Sequence, residues 1–321
     1  MHVNGDSVMG RDFGVKEIAH AVRESQGTLW VDIDSSSRPQ LALLEKVFKF
    51  HPLAIEDVLN PVSRPKVEPY SDYLFITLRV VRFMDATDDP YDLETTNLYF
   101  FLGPSYVVTV HAGPSAVVDQ VAEIALRTPD IVGRGAARLA HQIMDTAIDA
   151  YFPILDRIDD FLDSLEERVF GSFDEASLRD IFAVKRMILS LRRFLSPQRE
   201  IFNVLSNRPS PLLPGEVQLY YRDVYDHMLR INDSLDTYRD LLSSTMESYL
   251  SQVSNRLNLV TKGLAVVATL SVPFVVVSGM WGMNFSRVPL SGHPYGFEIM
   301  LVAQLAIGGS LVWLMKARKW L

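Results

Sequence analysis

GLAVVATLSVPFVVVSGMWGMNFS, running from Gly263 to Ser286, contains no charged residue. A predominantly apolar run of about 18 or more residues is long enough to cross a bilayer as a helix. A second charge-free run, Ile299 to Met315, lies near the short limit, and Gly296–Phe297 and Ala317 extend it. Trp313 and Trp320 suit a membrane interface. Two C-terminal spans are expected. Lys262 precedes the first, and Lys316, Arg318 and Lys319 follow the second. The loop between them, Ser286 to Glu298, carries one Arg, one Glu and one His. Basic flanks stay on the cytoplasmic side. The expectation is an integral protein of the cell (inner) membrane, with both termini cytoplasmic and a loop of about a dozen residues outside.

Composition narrows the function. The chain has 321 residues and a formal net charge of −8. An acidic protein lacks the basic surface that phosphate backbones require, so nucleic acid is not an expected partner. There is no cysteine, which excludes disulfides and thiolate metal sites. Met1 to Lys16 has no apolar core of signal-peptide length, so export of the soluble part is not expected. The sequence shows no phosphate-binding loop and no recognisable pairing of nucleophile and base, so an enzyme is not expected.

Ahead of the spans, periodicity separates two kinds of chain. Thr28–Ile33, Tyr73–Val81, Thr95–Leu102 and Ser105–His111 read as strands, the last two as a hairpin across Gly103–Pro104. Phe13–Arg23, Leu41–Phe50, Pro52–Leu59 and Ala116–Arg127 read as helices among them. The hairpin implies a sheet that is not wholly parallel. From Ala136 to Lys262 strand signals vanish. Ile154, Leu155, Ile158, Phe161, Leu162 and Leu165 recur at helical steps between Asp156, Asp159, Asp160, Asp163, Glu166 and Glu167. A helix from Glu175 to Ser206 follows, basic in its middle, and the prolines of Asn207–Gly215 break it. No stop then appears between Glu216 and Pro273, which predicts one helix of some 60 residues, about 90 Å long, continuous with the first span. The expected organisation is an α/β cytoplasmic domain over 1–130, antiparallel cytoplasmic helices over 131–215 and a long helix including the first span over 216–280. An outer loop over 281–298, a second span over 299–316 and a basic tail over 317–321 complete it.

Two spans cannot enclose an aqueous path within one chain, so conduction requires an oligomer with one helix per subunit around an axis. Helical spacing places Asn258, Thr261, Leu264 or Ala265, Ala268, Val272, Val275 and Gly279 on one stripe of the first span. The stripe reads equally as a packing face with small residues at the contact. At its outer end comes Gly279-Met280-Trp281-Gly282-Met283-Asn284-Phe285. A turn at the glycines exposes carbonyls, and Asn284 adds a neutral amide oxygen. Mg2+ gives up its water reluctantly, so such oxygens can hold the hydrated ion. They do so without a charge that traps it. The alternative is an ordinary helix C-cap.

Gly282-Met283-Asn284, at the end of the first of two C-terminal spans, resembles the signature of the CorA family of magnesium and cobalt channels. His51-Pro52-Leu53-Ala54-Ile55-Glu56-Asp57-Val58-Leu59, with Arg64-Pro65-Lys66-Val67-Glu68 after it, resembles the family's soluble segment. Tyr221-Arg222-Asp223-Val224-Tyr225-Asp226-His227 is similar to its long-helix segment, and Lys319-Trp320-Leu321 to its tail. The resemblance implies a funnel-shaped homopentamer in the lipid bilayer, with the long helix lining the pore. It implies a selectivity filter of Gly282, Met283 and Asn284 and a polar inner ring of Asn258. Regulatory cytoplasmic metal sites between subunits carry over onto Asp57 and Asp223, with Glu56 and Asp145 beside them. The implied cargo and regulator is Mg2+, with Co2+ and Ni2+ as further cargo.

Two departures keep other readings open. The loop reads Ser286-Arg287-Val288-Pro289-Leu290-Ser291-Gly292-His293-Pro294, with no carboxylate until Glu298, where the family is usually acidic. Thr261 stands where the family often has a bulky gate residue, which shifts the constriction to Leu264 and Val272. A related branch that moves Zn2+, with or without protons, shares the signature. A membrane-anchored metal sensor that conducts nothing is the third reading.

Overall fold

A computed structural model describes the chain apart from residues 5–6, 25, 61–63, 85–86, 88–89, 172–174, 284–287, 291 and 321. By internal contacts it divides into two units, Met1–Met246 and Glu247–Leu321.

Among its described residues the first unit holds seven strands: β1 (His2–Asn4), β2 (Ser7–Gly10), β3 (Thr28–Asp34), β4 (Lys66–Pro69), β5 (Leu74–Phe83), β6 (Leu93–Leu102) and β7 (Tyr106–His111). They form one sheet in the order β2-β1-β3-β7-β6-β5-β4. β3 and β7 run parallel, in register from Leu29↔Tyr106 to Asp34↔His111, and every other pairing is antiparallel. The helices before the spans are α1 (Val15–Glu24), α2 (Arg38–Lys46), α3 (Pro52–Leu59), α4 (Ala116–Arg127), α5 (Asp130–Gly133), α6 (Ala136–Asp149), α7 (Phe152–Gly171) and α8 (Glu175–Asn207). Then come α9 (Gly215–Trp281), which contributes to both units, and α10 (Gly296–Ala317) in the second.

The central strands are apolar on both faces because both faces are covered. One face carries Val31, Ile33, Phe75, Tyr99, Phe101, Val108 and Val110, packed with Ile18 of α1, Leu44 of α2 and Ala54 and Val58 of α3. Phe50 stacks on Phe101 at 4.0 Å between ring centres. On the other face α6 packs against β3, β6 and β7. Of the three short strands, β2 and β4 are the edges of the sheet and β1 lies between β2 and β3. Their brevity, with the charges and Pro69 of β4, suits an edge that does not invite further pairing. The same features hide them from a periodicity reading. That reading also starts α2 three residues late, since Pro39 sits in its first turn.

β5 continues to Phe83 past its last partner in β4, Lys66↔Thr77. There the missing strand is replaced by side chains. Arg79 N donates to Gln198 Oε1 at 3.0 Å, Tyr151 Oη donates to Arg79 O, and Gln198 Nε2 donates to Tyr151 Oη at 3.2 Å. Gln198 and Tyr151 are buried, so the edge is satisfied by protein and not by water. Tyr151 also sits at the break between α6 and α7, which the sequence reading did not place.

α7 keeps its acidic face outward and buries Ile154, Leu155, Ile158, Leu162, Leu165 and Val169. In the first unit α9 buries Tyr221, Val224, Met228, Ile231 and Leu235 at three- and four-residue steps. Tyr221 Oη donates to Ala137 O at 3.1 Å and Tyr238 Oη to Leu155 O at 3.3 Å, tying α9 to α6 and α7.

A polar chain, buried except at the exposed Asp32, closes the C-terminal ends of the parallel pair. Trp30 Nε1 donates to Thr109 Oγ1 at 3.1 Å, and Thr109 Oγ1 donates to Asp32 Oδ1 at 2.6 Å. His111 Nε2 lies 3.1 Å from Asp32 Oδ2, and its Nδ1 lies 2.6 Å from Gly113 O. Burial alone pulls the imidazole down, but its bond to Asp32, the Asp32 charge and the Gly113 carbonyl outweigh it. The His111 pKa is raised above its ordinary 6.5. A raised folded-state pKa contributes stability that is fully present below the unfolded value and lost as pH rises through the folded one. His111→Gln is therefore expected to cost roughly 1–3 kcal/mol, and more at about pH 5.5 than at about pH 9. Urea denaturation of the purified protein at both pH values checks this, and an equal cost at both rules the charged pair out.

Candidate pore and metal centres

α9 is 67 residues long and α10 is 22, and each contains a stretch apolar enough to cross a membrane. At 1.5 Å per residue α10 extends about 33 Å, matching a hydrocarbon core of about 30 Å. α9 runs through Pro273, which has no N–H to give to the carbonyl of Thr269.

In the second unit α10 lies along one side of α9. Gly296, Gln304, Gly308 and Met315 are its buried residues. A Cβ built on Gly308 would stand 2.6 Å from Phe274 Cζ, so glycine is needed there for the ring of Phe274 to seat. Gln304 Nε2 donates to Ser278 Oγ at 3.0 Å and to Phe274 O at 3.4 Å. Across the basic ends, Lys262 Nζ donates to Lys319 O at 3.4 Å. At Gly296 a Cβ would stand 2.3 Å from Leu290 O, so the loop closes onto the start of α10 only with glycine there.

On α9, Leu270, Phe274, Val277 and Trp281 are partly covered, while Asn258, Thr261, Leu264, Ala268, Val272, Val275 and Gly279 are all exposed. At about 100° per residue the exposed set centres on the side away from Phe274. The stripe read from the sequence lies within the surface of α9 that α10 leaves uncovered, a surface that also holds Val267, Val276 and Met280, while Ala265 is partly covered. In one chain that face is apolar and unpartnered, with Leu264 66 % and Val275 69 % exposed.

The outer end of α9 is held by Gly282 N donating to Ser278 O at 3.0 Å. Neither Gly279 nor Gly282 takes a positive φ. A Cβ at Gly282 would meet Gly279 O and Ser278 O at an ordinary 3.5 Å. The backbone freedom expected of these glycines is therefore not used up to that point. Met283 is exposed, and Asn284 lies outside the described residues.

The expected cytoplasmic carboxylates fall in two places. Asp57, on α3, is held by Lys66 Nζ at 2.6 Å, and the same ammonium reaches Glu68 Oε1 at 2.8 Å. Glu56 beside it is exposed. Asp145 belongs to a second group. Asp145 and Asp149, one turn apart on α6, and His227 on α9 offer ligand atoms that all lie within 4.8 Å of one another. His227 Nδ1 is 3.2 Å from Asp149 Oδ1, and its Nε2 is 3.8 Å from Asp223 Oδ2. Burial, then the charge of Asp149, pushes Asp145 up to about 6. Two carboxylates and an imidazole so placed are a donor set for a divalent cation, and the imidazole suits cobalt or zinc better than magnesium. Asp57 and Asp223 do not share a group of three or more such ligands among the described residues. The sequence reading missed Asp149 and His227. The available signal was spacing, since Asp145/Asp149 and Asp223/His227 each share a helix face at i,i+4.

Comparison with known proteins fits this geometry. Residues 25–317 match the family model described as CorA-like Mg2+ transporter protein. The cobalt/magnesium transport protein CorA of Thermotoga maritima is 31% identical over 315 residues, covering 97% of this chain and 89% of that one. The solved CorA magnesium transporter of Methanocaldococcus jannaschii superposes with a TM-score of 0.81 at 24% identity, over 91% of each chain. The ZntB cytoplasmic domain of Vibrio parahaemolyticus gives a TM-score of 0.61 at 18% identity, over 70% of this chain and 88% of that one, a likeness of fold alone. This chain combines a helix of 67 residues ending at Trp281, a second apolar helix packed on it and an α/β sheet unit. The chain is a membrane protein and belongs to the CorA-like Mg2+ transporter family.

Proposed function

We propose that the protein is a channel for divalent metal ions, carrying Mg2+ and Co2+ inward across the cell membrane as a homopentamer with both termini in the cytoplasm. The observation that carries this reading is the uncovered stripe of α9, leading in a chain of this family to Gly282-Met283-Asn284. Five such stripes around an axis supply the path that two spans cannot enclose alone. Asn258 and Thr261 give its inner end polar groups, Leu264, Ala268, Val272, Val275 and Gly279 line a narrow apolar length, and Asn284 ends it with a ring of amides. Neutral oxygens can hold a hydrated ion without trapping it.

Closure is proposed to follow from cytoplasmic Mg2+ bound between subunits. Asp57 with Glu56, and Asp223 with Asp145, occupy separate patches of one chain, so a neighbouring copy is needed to join them. Bound metal offsets the repulsion of the carboxylates so joined, and its loss lets the subunits part. A second reading, transport of Zn2+, draws on His227 in the carboxylate group and on an outer loop without acid before Glu298.

Flux into liposomes holding the purified protein tests both, with Mg2+-, Co2+- and Zn2+-sensitive dyes and a proton dye. Mg2+ entry down its own gradient without proton movement supports the channel. Zn2+ entry that tracks a proton gradient, with little Mg2+, selects the second reading. Asn284→Ala is expected to abolish uptake while the assembly keeps its size on a gel-filtration column. Uptake equal to the unmodified protein sinks the filter assignment. Asp223→Lys is expected to leave flux less sensitive to Mg2+ on the cytoplasmic side, because a fixed ammonium supplies part of the charge the metal brings. An unchanged inhibition curve removes Asp223 from the sensor.

A further inference from the structure

Between Ile299 and Met315 the second span has two polar side chains, Gln304 and Ser310. They are placed very differently. Ser310 is exposed and Oγ donates to Ala306 O of its own helix at 2.8 Å, a local bond that needs no partner helix. Gln304 is 7% exposed and its amide crosses to α9. A polar group inside a span is expensive there and marks a position with a task.

The partner of Gln304 is one residue from Gly279 and sits just before the last turn of α9. Gln304 Nε2 donates to Ser278 Oγ at 3.0 Å and to Phe274 O at 3.4 Å. Ser278 O in turn accepts from Gly282 N at 3.0 Å. One turn away on α10, Gly308 receives the ring of Phe274 and fixes the register in which Gln304 meets Ser278. Past Ser278 the helix has one turn left, and a helix end frays unless something ties it. The geometry points to Gln304 as a positioning residue for the ion filter, acting through Ser278 on the turn that presents Gly282 and Met283. α10 is thereby a strut for the selectivity end of α9 and not only a membrane anchor. The inference rests on the channel reading for what the turn selects, and on the hydrogen bonds alone for what holds it.

The test uses the full-length protein in liposomes, with two readouts. An average side-chain hydrogen bond between membrane helices shifts an equilibrium by about threefold. Gln304→Met keeps the volume and removes both donors. It is expected to change the ratio of Mg2+ to Co2+ flux by about threefold or more, and Ser278→Ala to do the same. The double variant is expected to go no further than Gln304→Met alone, since Gln304→Met already removes the one bond that Ser278→Ala removes. Ser310→Ala leaves the ratio unchanged. For the second readout, the chain has no cysteine, so Met283→Cys takes a single spin label. The label is expected to become more mobile with Gln304→Met and with Ser278→Ala, while a label at Asp163 of α7 stays as it was. An unchanged label at position 283 in both backgrounds, or flux ratios that change additively, overturns the inference. If the unmodified protein passes neither ion, the channel reading fails, and the label alone then decides the positioning role by the same outcomes.

Discussion

In hydrocarbon a backbone N–H or C=O has no water to bond, so each spanning segment must satisfy its own polar groups. That constraint explains most of the second unit. It keeps α9 helical through Pro273 where a soluble helix would more readily break, because the cost of opening further carbonyls exceeds the loss of one bond. At the start of α10 the backbone of Leu290 closes onto Gly296. The same constraint explains why the amide of Gln304 is directed to a carbonyl and a hydroxyl of the neighbouring helix. Helix packing in lipid gains nothing from hiding apolar surface, since lipid is equally apolar. It depends on close fit and on such polar contacts, and Gly308 under Phe274 is the close fit.

The first unit obeys the same rule by other means. A sheet has edges, and an edge strand in a packed layer needs partners for its outer row of polar groups. Where β4 ends, β5 finds them in Gln198 and Tyr151, which belong to the helical layer. The bond from Arg79 N to Gln198 fixes α8 against the sheet, and the Tyr151 hydroxyl fixes the α6–α7 corner to the same residue. Burial raises the Tyr151 pKa, so this hydroxyl remains a donor across the physiological range.

What the sequence made legible follows from which physical signals are local. The spans and the helix that leads into the first could be read because charge-free runs and unbroken 3.6-residue periods belong to single segments. β5, β6 and β7 were legible by their aromatic and β-branched content, within a residue or two at each end. β1, β2 and β4 were not, since a strand of three or four residues has too little period to show and owes its existence to the strand beside it. The group of Asp145, Asp149 and His227 was half legible. Spacing on each helix was visible, but its meeting across α6 and α9 depends on Tyr221 seating against Ala137, which is tertiary. The glycines at the end of α9 were read as needed for a turn, and through Trp281 the backbone stays helical. Gln304 carried no motif. Its meaning appears only when its height on α10 is matched to Ser278 on α9.

The proposed channel asks opposite things of its two metal-facing regions, and their donors differ accordingly. A filter must release the ion, so it is better served by amides and carbonyls, which touch the water shell of Mg2+ without stripping it. A sensor must hold the ion long enough to count it, so it is better served by carboxylates that repel one another when empty. At Asp145 burial first, and then the charge of Asp149, push the pKa up to about 6. A divalent cation held there, as proposed, would relieve that cost, and so does a proton. The two would then compete for the same carboxylates. Metal and proton at this group would thus be coupled through the same charge.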